Sequence, residues 1–282
     1  MNFKIGIIGL GFVGGAMFES FKLKGLIENK NIFIYDKYKN GGIGDFEDIL
    51  NTNILFIALP TPYNDSKKEY DKTSIKDTFK KLQSKKYKGV IVIKSTIEPE
   101  TTNELSKKFS NLKIVHNPEF LSAKTAFEDF HNQKHIVLGK GPNCKKKDIL
   151  KLRLFYMIYY QDADISICTS LESESMKCFA NSFYAVKIQY FTEMFFTCQK
   201  TGADFNKVKD MMLKNGWINP MHTNVPGTDG QVSYGGLCFP KDTNALNEFM
   251  KKNNIPNKVL DATINERNLM RDDNLNCELK EK

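Results

Sequence analysis

The feature that most constrains the fold of this chain is an alternation. Seven short apolar runs rich in Ile, Val and Phe recur through its first 170 residues, at 3–9, 32–36, 54–60, 90–96, 113–118, 135–140 and 165–169. Each run is nearly continuous, as in strands buried on both faces. Stretches of helical length and spacing separate most of them. Strands that alternate with helices imply βαβ units and hence an α/β fold with a doubly wound, mostly parallel sheet.

The pattern changes near residue 170. From Leu171 to Gln199 the chain has no Gly or Pro, and it carries Phe179, Phe183, Tyr184, Tyr190, Phe191, Phe195 and Phe196. A segment apolar on most sides reads as one long buried helix. Further helices are expected around 204–215, 240–253 and 256–270, with a Gly/Pro/Asn-rich loop over 216–236. The expected organisation is therefore a sheet domain over 1–169 and an all-helical domain over 170–282, with no flexible linker.

The first strand runs into Gly9-x-Gly11-x-x-Gly14, which opens a helix. Such glycines allow a tight turn and close approach of backbone to a pyrophosphate, whose charge the helix N-terminus favours. Asp36 ends the next strand at about the spacing expected of a ribose-binding acid. The context marks a Rossmann-type dinucleotide site. Asp36 would accept from a ribose hydroxyl and repel a 2′-phosphate, so NAD is expected over NADP, a preference Lys37 and Lys39 would soften. Phe12 and Val13, inside the motif, count with the glycines as cofactor contacts. So do Thr61 of "LPTP" and Ser95 and Thr96 of "IKSTIEP", at the carboxyl ends of later strands where ligands of such sheets lie. Thr96 also reads as a helix N-cap, with Pro99 in the first turn of the next helix.

Length and composition bound the rest. The 282 residues fit two modest domains. No run of eighteen apolar residues would span a membrane, and the N-terminus lacks a signal-peptide pattern, so a cytoplasmic location is expected. The net charge of +8 is almost wholly lysine; the arginines are Arg153, Arg267 and Arg271. The lysine runs lack interleaved aromatics, so they read as solvated faces and no nucleic-acid partner is expected. The six cysteines form no CxxC pair and show no His/Cys ligand spacing, so neither a metal site nor a disulfide framework is expected.

Two groups of residues carry potential chemistry. Glu174, Lys177 and Asn181 share one face of the long helix, and a lysine and an asparagine amid aromatics must be paired or line a cavity. The plainer reading is a Glu174–Lys177 surface pair. The second group is "YGGLCFPKD", residues 234–242. Pro240 suits a first helical turn, which sets Cys238 at a helix N-terminus, where the dipole favours a thiolate. Cys238 is then either a nucleophile or a small capping residue. Asp242 in the first turn complements the dipole, and Lys241 reads as surface charge or as a cofactor contact.

The chain resembles the UDP-glucose/GDP-mannose dehydrogenase family through "GIIGLGFVG", "LPTP", "KSTIEPETT", "NPEFL", "ESMKCFANSFYAVKIQYFTE" and "YGGLCFPKD". These motifs occur in family order along nearly the whole chain, and the last is the most specific. The resemblance implies oxidation of a nucleotide-sugar primary alcohol to a carboxylate with two NAD, through a cysteine thioester. It assigns Cys238 as nucleophile and gives Lys177 and Asn181 the developing oxyanion. Asp242, Glu119 and Thr96 position water and move protons; Pro118-Glu119 also reads as a turn and helix start. A homodimer is expected, because the aromatic helix would otherwise expose much apolar surface.

The chain departs from the family pattern in four places. Ser122-Ala123-Lys124 stands where a second acid is usual, and the loop "WINPMHTNVPGTDGQVS" has no arginine, leaving His222 or Asn224 as substitutes. The segment after Asp36 is short, and a third, nucleotide-gripping domain is not expected before Lys282, where the stretch reads as a polar tail. The alternatives are a β-hydroxyacid-type dehydrogenase making one hydride transfer with Lys177 and Asn181, and a non-catalytic NAD-binding homologue.

Overall fold

A computed structural model describes residues 3–271 and 273, so most of the polar C-terminal stretch lies outside the described residues. The chain divides into two compact units. The first takes the residues up to Thr61 and then Asp71–Lys177; the second takes Pro62–Tyr70 and the chain from Cys178 onward.

In chain order the elements begin with β1 (Ile5–Ile8), α1 (Phe12–Leu23), β2 (Ile32–Tyr35), α2 (Phe46–Leu50) and β3 (Ile54–Ile57). The short strands β4 (Tyr63–Asn64) and β5 (Glu69–Tyr70) follow, then α3 (Thr73–Ser84), β6 (Val90–Ile93), α4 (Thr101–Lys108) and β7 (Lys113–His116). Next come α5 (Ala126–His131), β8 (His135–Lys140), α6 (Lys146–Tyr159), β9 (Asp164–Thr169) and α7 (Ser170–Thr201). The last are α8 (Phe205–Lys214), α9 (Phe239–Lys252) and α10 (Lys258–Met270).

The first unit is built on a seven-stranded sheet in the order β2-β1-β3-β6-β7-β8-β9. All neighbours are parallel except β7 and β8. The seven apolar runs are its seven strands, and β1, β3 and β6 are buried along their whole length, as continuous apolar runs require. One apolar layer, with Phe21, Phe56, Phe155 and Tyr156, covers one face; another, with Ile57, Phe79, Leu105 and Phe109, covers the other. The doubly wound, mostly parallel α/β fold is as the sequence implies. The β4–β5 hairpin is not: it interrupts the β3-to-α3 connection.

The second unit is helical. A small core joins Cys178, Leu246, Leu260 and Ile264, and a second joins Phe191, Cys198 and Phe205. The hairpin belongs here. Its Tyr63 and Tyr70 pack on Ala245 of α9, and Lys252 donates to the Lys67 and Lys68 carbonyls, at 3.3 Å each. Among the described residues no helix is long and apolar enough to cross a membrane.

The sequence sets the boundary at 169/170, but the packing divides α7 itself, after Lys177. Polar contacts are the reason. Ser173 meets His116 at 2.8 Å, Glu174 accepts the Thr102 N–H at 2.7 Å and Lys177 reaches Glu119, all inside the first unit.

Candidate functional site

The residues singled out from the sequence fall into sets, each inside one unit. The first is the glycine turn between β1 and α1. Gly9 has φ +90°, and a Cβ there would lie 2.5 Å from the Ala58 carbonyl oxygen. A Cβ on Gly14 would lie 1.8 Å from the Gly9 carbonyl oxygen, so only glycine lets the helix start this close to the strand. Around the Cβ position of Gly11 the space is open to 4 Å, which leaves room for a ligand.

Asp36 lies beside this turn and accepts from the Leu10 N–H at 2.7 Å and from the Tyr38 and Lys39 N–H groups at 3.0 Å each. Burial alone would raise its pKa, but those N–H groups and the Lys39 charge outweigh it and hold the carboxyl below its ordinary range. An ionised acid fixed to a glycine turn at a helix N-terminus suits a dinucleotide with free ribose hydroxyls. Phe12 and Val13 begin α1, with Phe12 half exposed.

At the next strand ends, Thr61 donates to the Thr96 carbonyl at 2.8 Å and Ser95 to the Leu59 carbonyl at 2.6 Å, tying two loops together. The expected N-cap at Thr96 is not formed. The helix begins at Thr101, behind Glu100 in the left-handed region at φ 75°, so Pro99 stands outside it. The cap comes from another helix: the Glu174 carboxylate takes the Thr102 N–H. Glu174 is fully buried, and burial pushes its pKa up to about 7. The surface pair with Lys177 is therefore also excluded.

Lys177 instead belongs to a buried network around "HNPE". Its ammonium lies 2.6 Å from the Glu119 backbone oxygen and 3.2 Å from Glu119 Oε1. A second lysine grips the preceding residues. Lys94, 1% exposed, donates to Asn117 Oδ1 at 3.0 Å and to the Pro118 oxygen at 3.2 Å. Asn117 also accepts from the Tyr156 hydroxyl at 2.5 Å and donates to the Val137 oxygen at 2.7 Å. Burial drives the Lys94 pKa down to about 7, with Glu119 opposing and Lys177 adding to the fall. Burial and the same two lysines hold His116 neutral, with its pKa lowered to about 3.

In the second unit, Cys238 is the N-cap of α9 and exposed, with proline in the first turn as expected. Asp242, one turn on, is fully buried. Its Oδ2 accepts from Asn181 Nδ2 at 2.6 Å, and its Oδ1 takes Lys241 Nζ at 2.5 Å and the Tyr70 hydroxyl. Burial would lower the Lys241 pKa, but the Asp242 carboxylate and Cys238 outweigh it and raise it above the ordinary lysine range. An exposed sulfur at a helix N-terminus beside an ammonium is an environment that favours thiolate.

Comparison with known proteins settles the relationship. The NAD-binding domain of the UDP-glucose/GDP-mannose dehydrogenase family matches residues 41–158, and that family's central domain matches 171–268. This chain belongs to that family. A curated relative, UDP-glucose 6-dehydrogenase of Rickettsia bellii, is 34% identical over 224 residues, which are 77% of this chain and 50% of the relative. The chain spans about half the length of the curated relatives it matches first.

Two solved structures share the fold. A UDP-glucose dehydrogenase from the archaeon Pyrobaculum islandicum superposes with a TM-score of 0.78 at 22% identity, over 95% of this chain and 68% of that one. A Mycobacterium tuberculosis 3-hydroxyisobutyrate dehydrogenase superposes with a TM-score of 0.73 at 16% identity, over 94% of this chain and 92% of that one.

Within this dehydrogenase family chain, the loop without arginine is held by Arg267 of α10 and by Arg271, the residue that caps its C-terminus. Arg271 donates to the Val232 and Ser233 carbonyls at 3.2 Å each and pairs with Asp229 at 2.5 Å; Arg267 Nε donates to the Tyr234 carbonyl at 3.2 Å. The suggested substitutes have internal partners. His222 packs between Tyr184 and Phe239, and Asn224 accepts from Lys209 at 2.9 Å.

Sequence reading passed over Lys94, His116 and Tyr70. A lysine ending the strand run "VIVIK" was a usable signal, since a buried ammonium needs partners. Tyr70 carried no local signal.

Proposed function

We propose that the chain acts as an NAD-dependent nucleotide-sugar dehydrogenase, oxidising a primary alcohol of a UDP-glucose-like substrate to the carboxylate in two steps through Cys238. The observation that supports this most is the exposed Cys238 at the N-terminus of α9, with Asp242, Lys241 and Asn181 wired one turn behind it. NAD held at Gly9, Gly11, Gly14 and Asp36 would accept the hydride of each oxidation, one NAD per hydride, with NADH exchanged for NAD between them.

In the first oxidation the alcohol loses a hydride and its hydroxyl proton, leaving an aldehyde. The Glu119–Lys177 pair supplies the groups that take that proton and steady the alkoxide. Cys238 thiolate then adds to the aldehyde carbon, and the new oxyanion is met by Asn181 and by a proton. Loss of a second hydride and of that proton leaves a thioester on Cys238. Water adds to the thioester carbon, the thiolate leaves, and the acid is released. Asp242 orients that water through its carboxylate.

A panel of UDP- and GDP-sugars with NAD tests the reading by counting NADH per acid formed, with two expected. Cys238→Ser should stop after the first oxidation. Full carboxylate from that variant at the normal rate would refute the thioester.

A second reading is one hydride transfer without covalent use of Cys238; the fold is shared with a 3-hydroxyisobutyrate dehydrogenase over 94% of this chain and 92% of that one. It requires one NADH per product.

The same reading includes a homodimer. Phe179, Phe183 and Tyr190 of α7 are 55%, 62% and 57% exposed, and Phe179 borders an apolar hollow of about 550 Å³ with Val186, Leu246 and Met250. Large contiguous apolar surface marks an interaction site. Sedimentation should give a dimer, and Phe183→Glu should give a monomer.

A further inference from the structure

Lys241 and Asp242 are neighbours on α9, and successive helical residues point about 100° apart, so their side chains do not ordinarily meet. Here they do, with Lys241 Nζ 2.5 Å from Asp242 Oδ1. A third residue accounts for it. Tyr70, at the end of the β4–β5 hairpin and 1% exposed, donates its hydroxyl to the same Asp242 oxygen. Its ring lies under the Lys241 ammonium, 4.7 Å from centroid to Nζ. One side chain thus holds both members of the pair, one by its edge and the other by its face. A ring face attracts a cation, and a phenol donates well to a carboxylate.

The hairpin is built into the second unit, not the first. It leaves the first unit after Thr61, rejoins it at Asp71, and is pinned to α9 by Lys252 and by the packing of Tyr63 and Tyr70 on Ala245. Cys238, Lys241 and Asp242 stand at i, i+3 and i+4 on the first turn of α9, so they share one side of it. Turning Lys241 inward toward Asp242 therefore turns its charge toward the side that carries Cys238.

We propose that Tyr70 is a positioning residue, whose hydroxyl orients Asp242 and whose ring orients Lys241 beside Cys238. This rests on the reading of Cys238 and Asp242 as reaction groups, but the two functions of Tyr70 separate experimentally. Tyr70→Phe keeps the ring and removes the hydroxyl. Tyr70→Leu removes both.

Two readouts decide it: NADH formation with UDP-glucose and NAD, and the rate at which iodoacetamide alkylates Cys238 at pH 7.5, followed by mass spectrometry of its peptide. Tyr70→Phe should lower kcat about tenfold, the effect of one lost hydrogen bond to a charged group, with KM for NAD unchanged and alkylation near the wild-type rate. Tyr70→Leu should lower kcat at least as far and also slow alkylation several-fold. Melting temperatures of both variants separate positioning from unfolding. Wild-type kcat in Tyr70→Phe, wild-type alkylation in Tyr70→Leu, or losses that only track the melting temperature would overturn the proposal. If the wild-type chain forms no NADH with any nucleotide sugar, the functional reading fails, and the alkylation arm still decides whether Tyr70 positions Lys241.

Discussion

Each unit holds a lysine–carboxylate pair among its candidate site residues, Lys177–Glu119 and Lys241–Asp242, and these two pairs are built differently. In the first unit, two lysines, Lys94 and Lys177, converge on one acid, Glu119, and on two successive backbone oxygens. In the second, one lysine meets one acid, and the remaining partners shown on Asp242 are the neutral donors Tyr70 and Asn181. The first arrangement carries an excess of positive charge that burial penalises, and Lys94 responds by holding its proton only to about pH 7. The second is balanced, and its Lys241 keeps its proton more firmly than usual. Balance makes a fixed geometry; imbalance makes a site that pH can change.

The largest effect expected is at the balanced pair. Asp242→Ala leaves the Lys241 charge without its acid and strands the donors Tyr70 and Asn181. Breaking a buried pair from one side costs about 3 kcal/mol or more. Urea unfolding should show that loss at all pH values from 6 to 9, and turnover should vanish.

Glu119→Gln tests the unbalanced pair and should cost less. Lys177 keeps the Glu119 backbone oxygen, and Lys94 can lose its proton. The loss should be about 2 kcal/mol at pH 6 and shrink by pH 9, so equal losses at both would erase the contrast.

Lys94→Met isolates the titration. An unfolded lysine holds its proton to about pH 10.5, whereas folded Lys94 holds it to about 7. Between those values the unfolded chain binds the extra proton, so the contribution of this group is full above 10.5 and is lost as the pH falls through 7. The variant should flatten the rise in stability with pH across that window, read from urea midpoints at half-unit steps.

Glu174→Gln should give the smallest and opposite slope. The folded carboxyl holds its proton to about pH 7, against 4.5 for the ordinary group. Its contribution is full below 4.5 and is lost as pH rises through 7, so the variant should remove a decline over that range.

Much of the geometry of the candidate site was legible because it is local. Gly9, Gly14 and Asp36 are demanded by one turn and the strand beside it. Cys238 at the N-cap and Pro240 behind it follow from helix geometry within five residues. Sequence and packing part where a distant group takes over a local task. Thr96 and Pro99 look like a helix start, yet the cap on α4 is Glu174, seventy-two residues away from the N–H it holds. The boundary at 169/170 looks natural where β9 ends, yet three polar side chains of α7 bind it to the first unit.

By itself the sequence determined the doubly wound sheet, the long α7 helix, the glycine cradle and the placing of Cys238. Each depends on hydrophobic period or on backbone sterics, which act between near neighbours. Only the tertiary structure decided that Lys177 pairs with Glu119, that Lys94 stands beside them, and that a hairpin brings Tyr70 to Asp242. Those partners are chosen by burial. A polar group removed from water takes whichever partner the packing brings within reach, whatever the distance along the chain.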